Sequence, residues 1–369
     1  MSAAMIPPAR PVTGEDEIEA VVRVMRSGTL TNGPEVAGFE SDFSALVEGR
    51  HCVAVNSGTS ALHLSLLALG VKPGDEVIVP SFTFAATANV VAVIGAVPVF
   101  VDIEPGSFCI DPAAIEAAIT PKTVAIIPVD LYGHPAAMVE IMAVAGKHGL
   151  AVVEDAAQAV ASSLDGKPIG TFGTTACFSF YPTKNSHSIE GGMVVTGDEK
   201  LARTLRLLRS QGSLVAYQNE IAGLNNRLSD VHAAVGRIQL AKLAGWTKAR
   251  RDNAAFFDAN LRGVTVPPVS AGAEHVYHQY TIRVGADVDG GRDGLRARLA
   301  ERGVGTGVYY PTQVHQLPTF AGSGAPSASR IAGSLEHTEQ AGREVLSLPV
   351  MPTLTSAELE TIVAAVNAL

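Results

Sequence analysis

The sequence predicts an α/β fold, with a large domain built on a mostly parallel central sheet and a smaller α+β domain after it. Two observations carry this. From about residue 15 to residue 245, short β-branched runs alternate with Ala/Leu-rich helical stretches, the pattern of a parallel sheet covered by helices on both faces. After Trp246 the alternation gives way to helical stretches flanking one strand. The expected division is therefore 15–245 and 246–369, with residues 1–14 packing beside the smaller part.

In the first part the clearest strands are 52–55, 76–79, 97–101, 124–129 and 151–153, each short and rich in Val or Ile. Helical candidates at 60–69, 112–119 and 138–148 lie between them. Ligands of such sheets bind beyond the carboxyl ends of the strands, so polar residues there are the first candidates for a site. In the second part, helical stretches at 247–261 and 292–302 flank a strand at 277–284, and 356–369 is helical again. The Ser/Gly/Pro-rich run 321–329 reads as a surface loop, and no internal repeat is present.

Composition narrows the function classes. Hydrophobic residues make up 47% of the chain and charged residues 17%, which excludes a disordered protein and points to a surface partly hidden in an oligomer. The net charge of −9 and the lack of any Lys/Arg run argue against nucleic acid or an anionic membrane as a partner. Cys52, Cys109 and Cys177 are widely spaced in apolar stretches and read as reduced core residues. The N-terminus has no signal-like apolar region and no run is long enough to span a membrane, so a cytoplasmic protein is expected.

Three segments carry chemistry. In CVAVNSGTSALHLSLLAL (52–69) a strand enters a small-residue turn and a helix opens at Ser60. Such a start offers free N–H groups and a positive dipole end to a phosphate; Gly58 allows close approach, and Thr59 or Ser60 adds a hydroxyl. An ordinary N-cap would look the same. In LAVVEDAAQAV (150–160) an apolar strand ends in Glu154-Asp155 with Gln158 one turn on. A carboxylate there needs a partner, a protonated pyridine nitrogen or simply a helix end. In ACFSFYPTKNSHSIEGGMVV (176–195) Lys184 follows an aromatic strand with no other cation from Thr171 to Gly197. A lysine alone is usually a solvated surface residue; a desolvated one has the lowered pKa that an amine nucleophile needs. A phosphate cradle, an acid for a ring nitrogen and a Schiff-base lysine are together the three anchors of pyridoxal phosphate.

These segments, with LTNGPEV from Leu30, GDEVIVPSFTFAATANVV, VFVDIEP, LLRSQG, GLNNRLSDVHAAVGRIQL and the late LSLP, resemble the DegT/DnrJ-type sugar aminotransferases over nearly the whole chain. That family has the aspartate-aminotransferase-like fold type I of pyridoxal-phosphate enzymes. The resemblance implies that Lys184 holds the cofactor as a Schiff base, that Asp155 faces its ring nitrogen, and that Gln158 bonds the ring hydroxyl. It implies phosphate contacts from Gly58, Thr59 and Ser179 and ring stacking by Phe84. It further implies that Asn225 reaches the neighbouring subunit's phosphate, making a homodimer with shared sites, and that Tyr309, Tyr310 and His315 lie near the sugar.

The implied reaction moves an amino group from L-glutamate to a nucleotide-linked keto-sugar, a dTDP-4-keto-6-deoxyhexose first, in amino-sugar biosynthesis for antibiotics or polysaccharides. An aminotransferase acting on a keto-cyclitol or aminoshikimate-type ring, and a regulator on the same fold, are the alternatives. One stretch departs from the family pattern: Ser186-His187-Ser188-Ile189 follows the lysine, and His187 is expected to contact the sugar. His63, His148 and His232 read as packing or surface residues, and no motif points to a metal. The glycine-rich 303–307 lacks the spacing of a dinucleotide site.

Overall fold

A computed structural model describes residues 5–322 and 324–368. The first four residues of the N-terminal segment, Ser323 of the 321–329 loop and the last residue of the closing helix lie outside the described residues. The central sheet has eight strands in the order His51–Val55, Gly192–Thr196, Thr175–Ser179, Ala151–Asp155, Thr123–Ile126, Glu76–Pro80, Val97–Val101 and Arg330–Ile331. Gly192–Thr196 runs antiparallel to both its neighbours; the other pairings are all parallel. Near-continuous apolar strands make sense here, because both faces are covered: Ile78, Val99 and Ile126 pack on one side and Val77, Val79 and Ala125 on the other.

Most expected elements are present, with shifted ends. Helices form at Gly58–Ala68, Pro112–Ala118 and Met138–His148. The strand expected at 124–129 is shorter, ending at Ile126; beyond it Val129 still bridges to Asp155 and extends the carboxyl edge. The strand expected at 277–284 is Tyr280–Arg283, because Tyr277 takes a positive φ of 44° that breaks the extended run. It pairs with Val345–Leu348 in a two-stranded sheet. Around it lie Gly291–Glu301 and Ser356–Asn367, over a core that includes Phe257, Tyr280, Leu346 and Ile362. Ile6 joins that core, and its backbone exchanges hydrogen bonds with Gly303 and Gly305, both at 2.8 Å.

The largest difference is the helix expected at 247–261. It is the second half of a 31-residue helix, Asp230–Asn260, so the division expected at 245/246 falls inside a single helix. Gly245 costs a helix about 1 kcal/mol relative to Ala. Burial of Leu243, Thr247, Arg250, Ala254 and Phe257 along the same helix outweighs that cost. Ser229 starts the helix by accepting the His232 N–H at 3.3 Å. Among the described residues no helix is long and apolar enough to cross a membrane.

Strand alternation sends neighbouring carboxylates to opposite faces. Glu154 is fully buried and accepts the backbone N–H groups of Gly170, Phe172 and Gly173. It is a structural pin for that loop, while Asp155 points to the site. Glu154→Ala strands two buried donors and a partly buried one and should cost at least about 2 kcal/mol, at roughly 1–3 kcal/mol for each buried donor. Denaturant unfolding of wild type and variant measures the loss.

Candidate active site

Five segments at the carboxyl edge of the sheet converge on a cavity of about 810 Å³. After strand His51–Val55, Ser57 caps helix Gly58–Ala68 by accepting the Ser60 N–H at 3.1 Å. That leaves the first N–H groups, at Gly58 and Thr59, without helical partners, beside the cavity. Gly58 is required by close approach: a Cβ there would stand 2.8 Å from the Cβ of Ser179, at the end of strand Thr175–Ser179. Gly192 is required for the same reason, since a Cβ there would meet the Ser57 carbonyl oxygen at 2.3 Å. The helix start is thus seated directly against two strands.

Asp155 ends strand Ala151–Asp155 and is buried. Thr87 donates its hydroxyl to Oδ2 at 2.8 Å and Ala157 its N–H to Oδ1 at 3.3 Å. Burial raises the pKa of the carboxyl, against the hydrogen bonds and the nearby charge of Lys184. Lys184 lies in a turn closed by its own N–H to the Tyr181 carbonyl at 2.9 Å. Its accessible part lines the cavity, and burial pulls its ammonium pKa down to about 8, with Asp155 acting the other way. Gln158 accepts the Tyr132 N–H at 2.7 Å and donates to the Tyr310 hydroxyl at 3.1 Å, so its amide orientation is set.

Phe84 stands at the cavity, 58% exposed, with its ring centroid 6.0 Å from that of Tyr310. Tyr309 and Tyr310 line the cavity too, and burial raises the pKa of both phenols. The structure therefore brings together Gly58, Thr59, Phe84, Asp155, Gln158, Ser179, Lys184, Tyr309 and Tyr310. Asn225 is not among them; it is exposed on a segment that bridges to Ser210.

Two expected sugar contacts lie elsewhere. His187 is buried and turned toward the N-terminal segment, its Nε2 3.2 Å from the Val12 carbonyl oxygen, and it does not line the cavity. Ser186 and Ser188 are buried as well, so the departing loop packs inward between the sheet and that segment, and only Ile189 of the four is exposed. His315 places its Nδ1 2.7 Å from the Ser81 hydroxyl and packs against Phe100, also outside the cavity lining.

The sequence reading missed Thr87, Tyr132, Tyr181, Glu190 and His278. Thr87 sits 68 positions before its partner Asp155, and nothing local distinguishes it from a helix-start threonine. His278 is buried against the cavity with no partner for its Nδ1. Burial, then the charges of Lys184, Arg250 and His275, hold its pKa well below the usual value, so it is neutral. Among the described residues no group of three or more His, Cys, Asp or Glu side chains could hold a metal.

The donor set fits pyridoxal phosphate. A desolvated amine suits its aldehyde, a buried carboxylate its ring nitrogen, and uncapped N–H groups with the Thr59 and Ser179 hydroxyls its phosphate. In cofactor-free protein the neutral Lys184 amine is the reactive form, so labelling by an amine-selective reagent should rise with pH through about 8. Exposed lysines should follow near their ordinary value of about 10.4. Mass spectrometry of labelled peptides across pH measures both.

Comparison with known proteins agrees with this geometry. A dTDP-3-amino-3,4,6-trideoxy-alpha-D-glucose transaminase of Streptomyces venezuelae is 44% identical, covering 94% of this chain and 90% of the relative. A protein described as a pleiotropic regulatory protein, from Geobacillus stearothermophilus, is 44% identical over 92% of this chain and 90% of its own length. The crystal structure of S. venezuelae DesV in complex with a ketimine intermediate superposes with a TM-score of 0.90 at 42% identity, covering 98% of each chain. The sequence profile that matches residues 11–367 is the one these features lead to: the chain belongs to the DegT/DnrJ/EryC1/StrS aminotransferase family.

Proposed function

We propose that this aminotransferase uses pyridoxal phosphate to move an amino group from L-glutamate to a nucleotide-linked keto-sugar. The observation that carries the reading is that Lys184, Asp155, Gln158 and the start of helix Gly58–Ala68 line one cavity of about 810 Å³. That volume lies within the usual range for a site burying a cofactor-sized molecule, about 300–1,000 Å³.

Bound pyridoxal phosphate supplies an electrophilic carbon and a ring that accepts electron density from the reacting carbon. Lys184 handles the proton at that carbon, as general base and then as acid; an amine with a pKa of about 8 exchanges protons readily near neutral pH. Asp155 is held by two hydrogen bonds, which leaves about two of its four acceptor sites for a ring N–H. Because burial alone disfavours its charge, a cationic ring nitrogen is the partner that keeps the carboxylate ionised. Gln158 uses one amide hydrogen on Tyr310 and has another for the ring oxygen. Phe84 offers an open aromatic face for stacking. Asn225, exposed and away from its own chain's cavity, is suited to reach the partner's phosphate in a two-fold dimer.

The 3-amino product in the name of the S. venezuelae relative makes a dTDP-linked 3-keto-sugar the first substrate to try, beside the 4-keto-6-deoxyhexose. The regulatory name of the Geobacillus relative supports a second reading, a regulator on the same fold. The unbroken set of Lys184, Asp155, Thr87 and Gln158 favours the enzyme.

Lys184→Ala should lose the visible band of the bound cofactor and turnover by roughly 10²–10⁴-fold, the usual share of positioned proton transfer. Asp155→Asn should retain the fold yet turn over at least about 100-fold more slowly, about 2.7 kcal/mol of transition-state stabilisation; near wild-type turnover would remove its role at the ring. For the shared site, Lys184→Ala and Asn225→Ala subunits, each impaired alone, are mixed under conditions where subunit exchange is demonstrated. Partial recovery of activity is expected from heterodimers with one intact composite site, and its absence would rule out sharing.

A further inference from the structure

The long helix carries a buried cation that no carboxylate among the described residues neutralises. Arg250 is 7% exposed. Its Nη1 donates to the Tyr277 carbonyl at 3.0 Å and its Nε has no partner. Among the described residues no carboxylate lies within 4.0 Å of it. Arg209, nearly as buried and likewise without a partner at Nε, differs in having a counter-ion: it pairs with Glu40 at 2.6 Å and bonds the Ala54 carbonyl. Burial lowers the Arg250 pKa to about 10, which still leaves the group charged at neutral pH. A charge buried without its counter-ion is costly, and such a site is completed by an anion.

Arg250 opens onto a small chamber of about 30 Å³. A single water needs about 10–15 Å³ by the same measure, so the chamber has room for a group the size of a carboxylate. It adjoins the large cavity, and Thr183, Lys184, His278 and Gln279 line both. No Asp or Glu lines it. Of its other cations, Arg10 is already paired with Glu358 at 3.0 Å and Lys184 is the reacting amine; the Nε2 of Gln239 is bonded to the Val12 carbonyl and to Glu17. Among the described residues Arg250 is therefore the guanidinium of the chamber without an anionic partner, and one the reaction does not use. The large cavity holds no arginine, and its only cation is Lys184, which the reaction uses.

The two half-reactions differ in one chemical respect. An amino-acid donor and its keto-acid product carry a carboxylate beside the reacting carbon; a keto-sugar does not. We propose that Arg250 is the carboxylate subsite of the amino donor, engaged when the donor's amine stands beside Lys184. The proposal rests on the transamination reading and names what holds its first substrate. His278 lines both spaces, which places an uncharged ring beside the same subsite.

The test compares wild-type holoenzyme with Arg250→Gln and Arg250→Lys. L-Glutamate is given in single turnover, read by loss of the cofactor's visible band, and a nucleotide-linked keto-sugar is given to the aminated form. Succinate, an unreactive dicarboxylate, is titrated by calorimetry. In Arg250→Gln the dissociation constants for glutamate and succinate should rise at least ~10-fold, the loss of a charge-assisted hydrogen bond. The keto-sugar half-reaction should stay within about twofold, and Arg250→Lys should fall between. Unchanged succinate binding would overturn the proposal. So would equal losses in both half-reactions with a lowered melting temperature, the result expected if Arg250 only pins Tyr277, or displacement of succinate by equimolar chloride. If the wild type reacts with glutamate in an arginine-dependent way but accepts no keto-sugar, the transamination partner is wrong and the subsite stands. If both half-reactions run and neither depends on Arg250, the reverse holds.

Discussion

An amine and a carboxyl group, each disfavoured in its charged form by burial, line one space at the carboxyl edge of the sheet, and the surrounding elements are arranged about that pair. Burial lifts the pKa of Asp155 and lowers that of Lys184, and the attraction between them only partly offsets either shift. Left alone, each group of the pair is pushed toward its uncharged form. A cofactor with a cationic ring nitrogen and an aldehyde resolves both strains at once, which is a physical reason for the site to bind that molecule and not merely to contain its ligands.

The rest of the edge is built to hold that pair in register. Parallel strands deliver Ser57, Ser179 and Asp155 to one side because their carboxyl ends all point the same way. The one antiparallel strand, Gly192–Thr196, separates His51–Val55 from Thr175–Ser179 and meets the Ser57 backbone so closely that only glycine fits at its start. The capped helix start is therefore positioned by backbone contact, with little freedom to drift. Thr87, from the helix Ala86–Val93, then fixes the Asp155 carboxylate itself.

The 31-residue helix joins this edge to the smaller sheet and its core. Its first turns lie against helices Glu15–Ser27 and Pro34–Ser44, and Phe257, near its end, packs into the core around Tyr280 and Leu346. Arg250 sits between, bonded to the carbonyl of Tyr277, one residue before His278. The helix is thus tied by a hydrogen bond to the segment that lines the cavity beside Lys184. Function and architecture meet there because the same short segment, 275–279, both leads into the two-stranded sheet and lines the site.

Much of the fold was legible in the sequence because hydrophobic period and length are local properties. The strands 52–55, 76–79 and 97–101 and the helix 138–148 each declare themselves within a dozen residues. Asp155, Gln158 and Lys184 likewise stand out in short motifs, and the structure brings the three to one cavity. Three things were not legible, each for the same reason. Whether Asp230–Asn260 breaks at Gly245 depends on what it is buried against, and that comes from distant segments. Whether His187 faces a sugar depends on the N-terminal segment folding back across 175 positions to take its ring nitrogen. Thr87 and Arg250 become visible only through tertiary contacts, one by its bond to an aspartate 68 positions later and the other as a buried charge bonded to a carbonyl and, among the described residues, to no carboxylate. A single chain declares which groups it owns; their desolvation and pairing, and so their charge and reactivity, are decided by tertiary contacts, because the free energy of an ion depends on everything packed around it.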